Sequence, residues 1–305
     1  MNEVVLPPDD GVEQLCSRLR IDRADRESTL AARPDPGEHP ELWRVLERSY
    51  QVLLAQLGRR VPGNPAWAPL PAATGAVGRH LFVWVFLAVV PHVRDYHATI
   101  GLTDRESWDS LGALGEELEL SRRLTGRAGL DATWGLPLVF SGTSFRLGRL
   151  AFERQPPGDD NAWNTHVPGD RTPLTSAACD ASFARAMELA EQCGGHVDGF
   201  VCHSWLMDDQ LQRYLPTTSN IIRFQQRFTR FTDRVKADWA PIEHVFHRRF
   251  DGDDVPPSLL DELPQRTTLE RAVVTHLRYG GHWYNRTGWM RRRRTPVRHA
   301  PRLSL

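Results

Sequence analysis

One stretch constrains the chain more than any other: residues 197–228, VDGFVCHSWLMDDQLQRYLPTTSNIIRFQQRF. A glycine pair, Gly194 and Gly195, stops the helical pattern of residues 175–193 just before it. The stretch opens on Val197, Phe200, Val201 and Cys202, an apolar run with the pattern of a buried strand. The run ends on His203, Ser204 and Trp205, three residues able to do polar work. Residues 208–215 read as a short amphipathic helix stopped by Pro216, and residues 220–231 as extended chain. A helix, a buried strand and a further extended segment belong to a sheet with helices packed on it. Ligand sites in such sheets lie where strands end.

The chain before this stretch has a different texture. Residues 10–127 read as all-helical. Leu42, Val45, Leu46, Val52, Leu53 and Leu57 recur near helical spacing, with Gly58 as a stop. Residues 81–90, LFVWVFLAVV, are apolar throughout, but a membrane-spanning helix needs about 20 such residues. A buried core helix ended by Pro91 is expected. Thr103 and Glu106 have capping-box spacing ahead of another helix. From residue 136 the pattern becomes strand-like. Residues 136–153 hold two apolar bursts split by Ser141, Gly142 and Thr143, a hairpin signal. Residues 163–167 fit a strand, and residues 175–193 a helix capped by Thr175. Residues 242–250 (IEHVFHRRF) fit an antiparallel partner for 220–231, and residues 267–279 a last helix. The expected fold class is α+β: an all-helical domain over residues 1–130, a mixed α/β domain over 131–290, and a basic, disordered tail over 291–305.

The totals exclude several functions. Acidic and basic residues balance at 38 each, so no global field gathers nucleic acid or an anionic membrane. Of the bases only Lys236 is lysine. The four cysteines, Cys16, Cys179, Cys193 and Cys202, have no CxxC spacing, so neither a disulfide framework nor a zinc knuckle is expected and a reducing cytoplasm fits. The first residues, MNEVVLPPDD, lack the basic and apolar regions of a signal peptide. His244 and His247 would face opposite ways on a strand, so no metal is expected there.

Several segments together carry a resemblance. His166-Val-Pro-Gly169 with Pro173-Leu-Thr175, Cys202-His-Ser-Trp-Leu206 and Ser219-Asn-Ile-Ile-Arg-Phe224 resemble a bacterial family of two-domain acyltransferases. That family joins a helical N-terminal domain to a GNAT-like (N-acetyltransferase-fold) C-terminal domain. The resemblance spans residues 12–289. It implies transfer of an acyl group from acetyl-CoA or another acyl-CoA to the amine of a small molecule or peptide; from the residues themselves no metal, nucleic acid or membrane is expected.

The resemblance also implies roles for residues. Acyl-CoA would lie along residues 164–167, including His166 and Val167. Its pyrophosphate would sit on the loop holding Gly169, Arg171, Thr172 and Leu174, at the helix that Thr175 opens. Free amides and the positive end of a helix dipole suit phosphate. The usual superfamily signature there is Gln/Arg-x-x-Gly-x-Gly/Ala. This loop has one glycine and two prolines instead. A catalytically inactive ligand-binding or regulatory module of the same fold therefore stays open as a second reading. His203 is the candidate general base, because acyl transfer needs the amine deprotonated and histidine titrates near neutrality. Ser204 is a candidate donor to the oxyanion or leaving thiolate. Trp205, Asn220 and Arg223 are candidate pocket residues, Arg223 as a fork for a carboxylate or phosphate. Adjacent strand residues point to opposite faces, which argues against a Cys202–His203 pair and favours Cys202 as a core residue.

Overall fold

The computed structural model describes residues 3–59, 69, 71–133, 135–154, 161–170, 172–232 and 234–291. Seven helices come first: α1 (Asp9–Arg18), α2 (Arg23–Ala31), α3 (Pro40–Gln56), α4 (Gly75–Thr99), α5 (Asp104–Leu111), α6 (Ala113–Thr125) and α7 (Leu136–Phe140). The apolar stripe of α3 turns Leu42, Leu46, Tyr50 and Leu53 inward. They pack on α4, whose residues 81–90 are buried all round. By length and composition α4 could cross a bilayer. Here the other helices cover it, as a core helix. Pro91 lies inside α4 and does not end it. The lost N–H costs one helical bond, and burial of Val90 and Val93 on either side outweighs that. The capping box of Thr103 and Glu106 opens α5 as expected.

The second half is a mixed sheet with helices. Its elements are β1 (Ser144–Leu147), β2 (Leu150–Arg154), β3 (Ala162–His166), α8 (Ser176–Gln192), β4 (Gly199–Ser204), α9 (Asn220–Gln225), β5 (Arg230–Phe231), β6 (Val235–Lys236), α10 (Trp239–Phe246), α11 (Pro257–Glu262), α12 (Thr268–Arg278) and β7 (Tyr284–Arg291). The strand order is β1-β2-β3-β4-β7-β5, and β6 also pairs with β7. Among the described residues only β3 and β4 run parallel, and every other pair is antiparallel. The α+β class and the mixed second half are therefore as expected.

Four local readings change. Pro137 starts the short helix α7, and the hairpin turns at Gly148, whose φ of 74° suits glycine. Residues 208–215 form not an α-helix but a 3-10 turn, Asp209–Arg213, which Asp208 caps. Residues 220–231 begin as helix α9, and only Arg230 and Phe231 are strand, as β5. Residues 242–250 begin inside α10, because Ile242 and Phe246 are buried at helical spacing after Pro241 in the first turn. The central strand β7 had no counterpart in the sequence reading. Leu136 and Phe140 pack into the helical core, so the helical part extends to residue 140.

Side chains from both halves meet at a seam. Arg185 of α8 holds Glu106 at 2.6 Å, the hydroxyl of Ser110 accepts from the backbone of Arg146 at 2.8 Å, and Arg249 pairs with Asp131 and Glu243. Glu117 of α6 is half-buried in the same seam, and its buried Oε1 has no hydrogen-bond partner among the described residues. Burial pushes its carboxyl up to about 7, the nearby Asp131 and Glu243 push it further, and Arg249 opposes them. An unfolded chain titrates this group near 4.5. The stability that neutral Glu117 contributes is thus fully present below pH 4.5 and is lost as pH rises through about 7. Glu117→Gln should remove that loss. The variant should match the parent at pH 4 and exceed it at pH 8 by on the order of 2–3 kcal/mol in urea unfolding.

Candidate active site

The site begins where two parallel strands part. β3 and β4 pair from Ala162↔Gly199 to Asn164↔Val201, and no further. Both strands continue, each held only by its outer neighbour. β2 still pairs with His166, and β7 still pairs with β4 as far as Ser204. The inner backbone groups at residues 165–166 and 202–204 therefore border an opening.

Alternation sorts the side chains around it. Trp163, Thr165, Phe200 and Cys202 are buried on the face that α8 covers, where Phe152, Phe183 and Phe200 cluster. Asn164, His166, Val201 and His203 take the other face, with both histidines exposed. His166 and His203 are register equivalents, one on each lip of the opening. His166 Nε2 lies 3.1 Å from Glu153 Oε2, and Asn164 Nδ2 lies 3.3 Å from the same oxygen. Asn164 Nδ2 also lies 3.3 Å from His166 Nε2 itself, so the carboxylate and the amide together hold that edge of the ring. His203 Nδ1 lies 2.9 Å from the hydroxyl of Thr287, its cross-strand partner on β7.

Other candidates fall elsewhere. Ser204 is on the α8 side by alternation, and its hydroxyl accepts from Leu206 N at 3.1 Å to cap a 3-10 turn. Cys202 is fully buried and burial pushes its thiol up to about 12, so it stays protonated as a core residue. Trp205 does not line a cleft: it is 5% exposed and packs edge-on to Trp283 at 6.3 Å. Asn220 and Arg223 ride on α9, which packs against α8. His244 sits exposed on α10, a helix and not a strand. Among the described residues, Asp238, Asp254 and His282 are close enough to share an ion. Lys236 Nζ already stands 2.5 Å from Asp254 and 3.8 Å from Asp238.

The loop after β3 has the expected form. Thr175 caps α8, accepting from Ala178 N at 3.2 Å. Helical geometry leaves the amides of Ser176 and Ala177 without intrahelical partners. A side chain at Gly169 would meet nothing within 4 Å, so the loop is open there. Leu174 turns into the core beside α8 and anchors the loop, and Val167 packs against the same cluster. Thr172 donates its backbone N–H to Asp170 at 3.2 Å. Arg171 lies outside the described residues. Sequence reasoning missed Glu153 and Thr287. Alternation along LAFER could have put Glu153 on the polar face of β2, but only the register sets it beside His166.

Comparison with known proteins agrees with this geometry. Residues 10–142 match the model of the N-acyltransferase N-terminal domain, and residues 144–290 that of the GNAT-like C-terminal domain. The chain belongs to this two-domain N-acyltransferase family. No curated protein matches it in sequence. Among solved structures, it is similar to an acyltransferase in complex with CoA and 10C-teicoplanin, and to one in complex with decanoyl-CoA and teicoplanin. Each has 36% identity and a TM-score of 0.85, over 95% of this chain and 90% of the other. An acyltransferase in complex with decanoyl-CoA is similar at 35% identity and a TM-score of 0.86, with the same coverage.

Proposed function

We propose that this chain transfers a fatty acyl group from acyl-CoA to an amine of a glycopeptide-like acceptor. The parting of β3 and β4, with a histidine on each lip, is the observation that carries this reading. The thioester would enter the opening with its pyrophosphate at the loop before α8, on Gly169, Arg171, Thr172 and Thr175. The acceptor's nitrogen attacks the thioester carbonyl carbon. The C–O π electrons move to oxygen, where unpaired strand amides such as those of β4 can hold the charge. The C–N bond is formed, the C–S bond breaks, and the thiolate leaves and takes up a proton. His166 takes the amine's proton at Nδ1, and Glu153 steadies the imidazolium that results. His203 faces it across the opening and orients the amine. Holding both substrates in one cleft supplies much of the rate.

The acyl chain and acceptor class are suggested by the relatives, which were crystallised with decanoyl-CoA and teicoplanin. The four cysteines are free, three of them buried, which supports action in the cytoplasm. Thermal unfolding with decanoyl-CoA tests the first half of the reading. At about 100 times its Kd, the ligand should stabilise the fold by about 2.7 kcal/mol. Mass spectrometry of a glycopeptide amine incubated with decanoyl-CoA should then show the acylated product and free thiol. No stabilisation by any acyl-CoA up to millimolar concentration would favour an inactive binding module.

A further inference from the structure

The loop between β3 and α8 has one glycine, so something other than glycine must fix its path. The β1–β2 hairpin does so with two arginines. Arg146 (side chain 11% exposed) pairs with Asp170 in the loop and, at 2.5 Å, with Glu116 of α6. Arg149 is buried at the hairpin turn. It donates to the carbonyl of Pro168 at 3.1 Å and lies 3.7 Å from Asp170. The backbone N–H groups of Arg149 and Leu150 both donate to the hydroxyl of Ser182, at 3.0 and 3.3 Å, so the same turn is bolted to α8. Asp170 in turn accepts the N–H of Thr172. One carboxylate thus ties the hairpin, the loop and the approach to α8.

We propose that Asp170 is a positioning residue for acyl-CoA: clamped between Arg146 and Arg149, it sets the loop that receives the pyrophosphate. A carboxylate so near a phosphate site would repel the ligand if it stood alone. Two guanidiniums cancel its charge, and Arg149 keeps an Nε with no hydrogen-bond partner among the described residues. Burial works against the ionised carboxyl, yet Arg146 and Arg149 hold it below its ordinary value, so the clamp is charged at neutral pH. Through Glu116 the clamp also reaches the helical half, so the loop's geometry depends on how the two halves are docked. Asp170 touches no reacting atom in this arrangement.

This inference rests on the reading that acyl-CoA binds at the loop, and the test separates the two. Calorimetry with coenzyme A and steady-state kinetics with decanoyl-CoA are run on the full chain and on Asp170→Asn. The amide can still accept from Thr172 but loses the charged pairing with both arginines. Coenzyme A Kd and acyl-CoA KM should rise about tenfold, the scale of a charge-assisted hydrogen bond, while kcat and the amine KM stay within about twofold. If Asp170→Asn does not fold, Arg146→Lys decides by the same split, since a lysine cannot fork to both Asp170 and Glu116. Folded variants that bind coenzyme A as the parent does, or that lose kcat and both KM values alike, overturn the role of Asp170. A parent chain that binds no coenzyme A overturns the functional reading itself.

Discussion

His166→Ala should lower kcat by about 100- to 10,000-fold, the range of a lost general base, with little change in acyl-CoA binding. The argument is positional. His166 is the first residue of its face beyond the last β3–β4 pair, and its Nε2 edge is held by Glu153. Glu153→Gln keeps the shape and removes the charge, so it should lose part of the same activity. His203→Ala should cost less, because the Thr287 hydroxyl behind it brings no charge. Single-turnover rates and isothermal binding of decanoyl-CoA separate the cases. A larger loss for His203→Ala would make His203 the base and leave His166 as an orienting contact. Equal losses in rate and acyl-CoA binding would make His166 a cofactor contact.

The second large effect is on stability. Trp283→Ala should cost the C-terminal domain about 3–5 kcal/mol in urea unfolding. Trp283 has no exposed surface. It stands 4.5 Å from the ring of His276 and within 6.3 Å of Tyr214 and Trp205. Its backbone N–H donates to Asp238 at 2.7 Å, and its ring N–H to Val273 O at 3.4 Å. It is also the last residue before β7, so a cavity there loosens the entry of the strand that carries Thr287. A loss under about 1.5 kcal/mol would mean that α12 collapses into the gap.

Much of this was legible in the sequence, for reasons particular residues make plain. The 3.6-residue recurrence of Leu42, Leu46 and Leu53 needs no tertiary partner to be seen. The Thr175 cap and the apolar approach to His203 are likewise local signals. The helix α10 was misread because Ile242, Val245 and Phe246 make a short apolar burst that fits either period. β7 was missed because YNRTGWMR is polar and contains a glycine, with no strand signal of its own; β4, β5 and β6 define it by pairing. The partners of the two histidines depend on register across four strands, which no local pattern states. The loop before α8 was legible as a phosphate site only through the family resemblance, because one glycine and two prolines state no such role by themselves.

The parting of β3 and β4 has a mechanical consequence. Only three residue pairs, Ala162↔Gly199 to Asn164↔Val201, join β1-β2-β3 to β4-β7-β5. The sheet is two leaves on a short spine. A thioester chain laid between them stands where a strand is missing and can take up the hydrogen bonds the leaves leave open. Substrate would stiffen the molecule by finishing its architecture, and each turnover would end by taking that piece away.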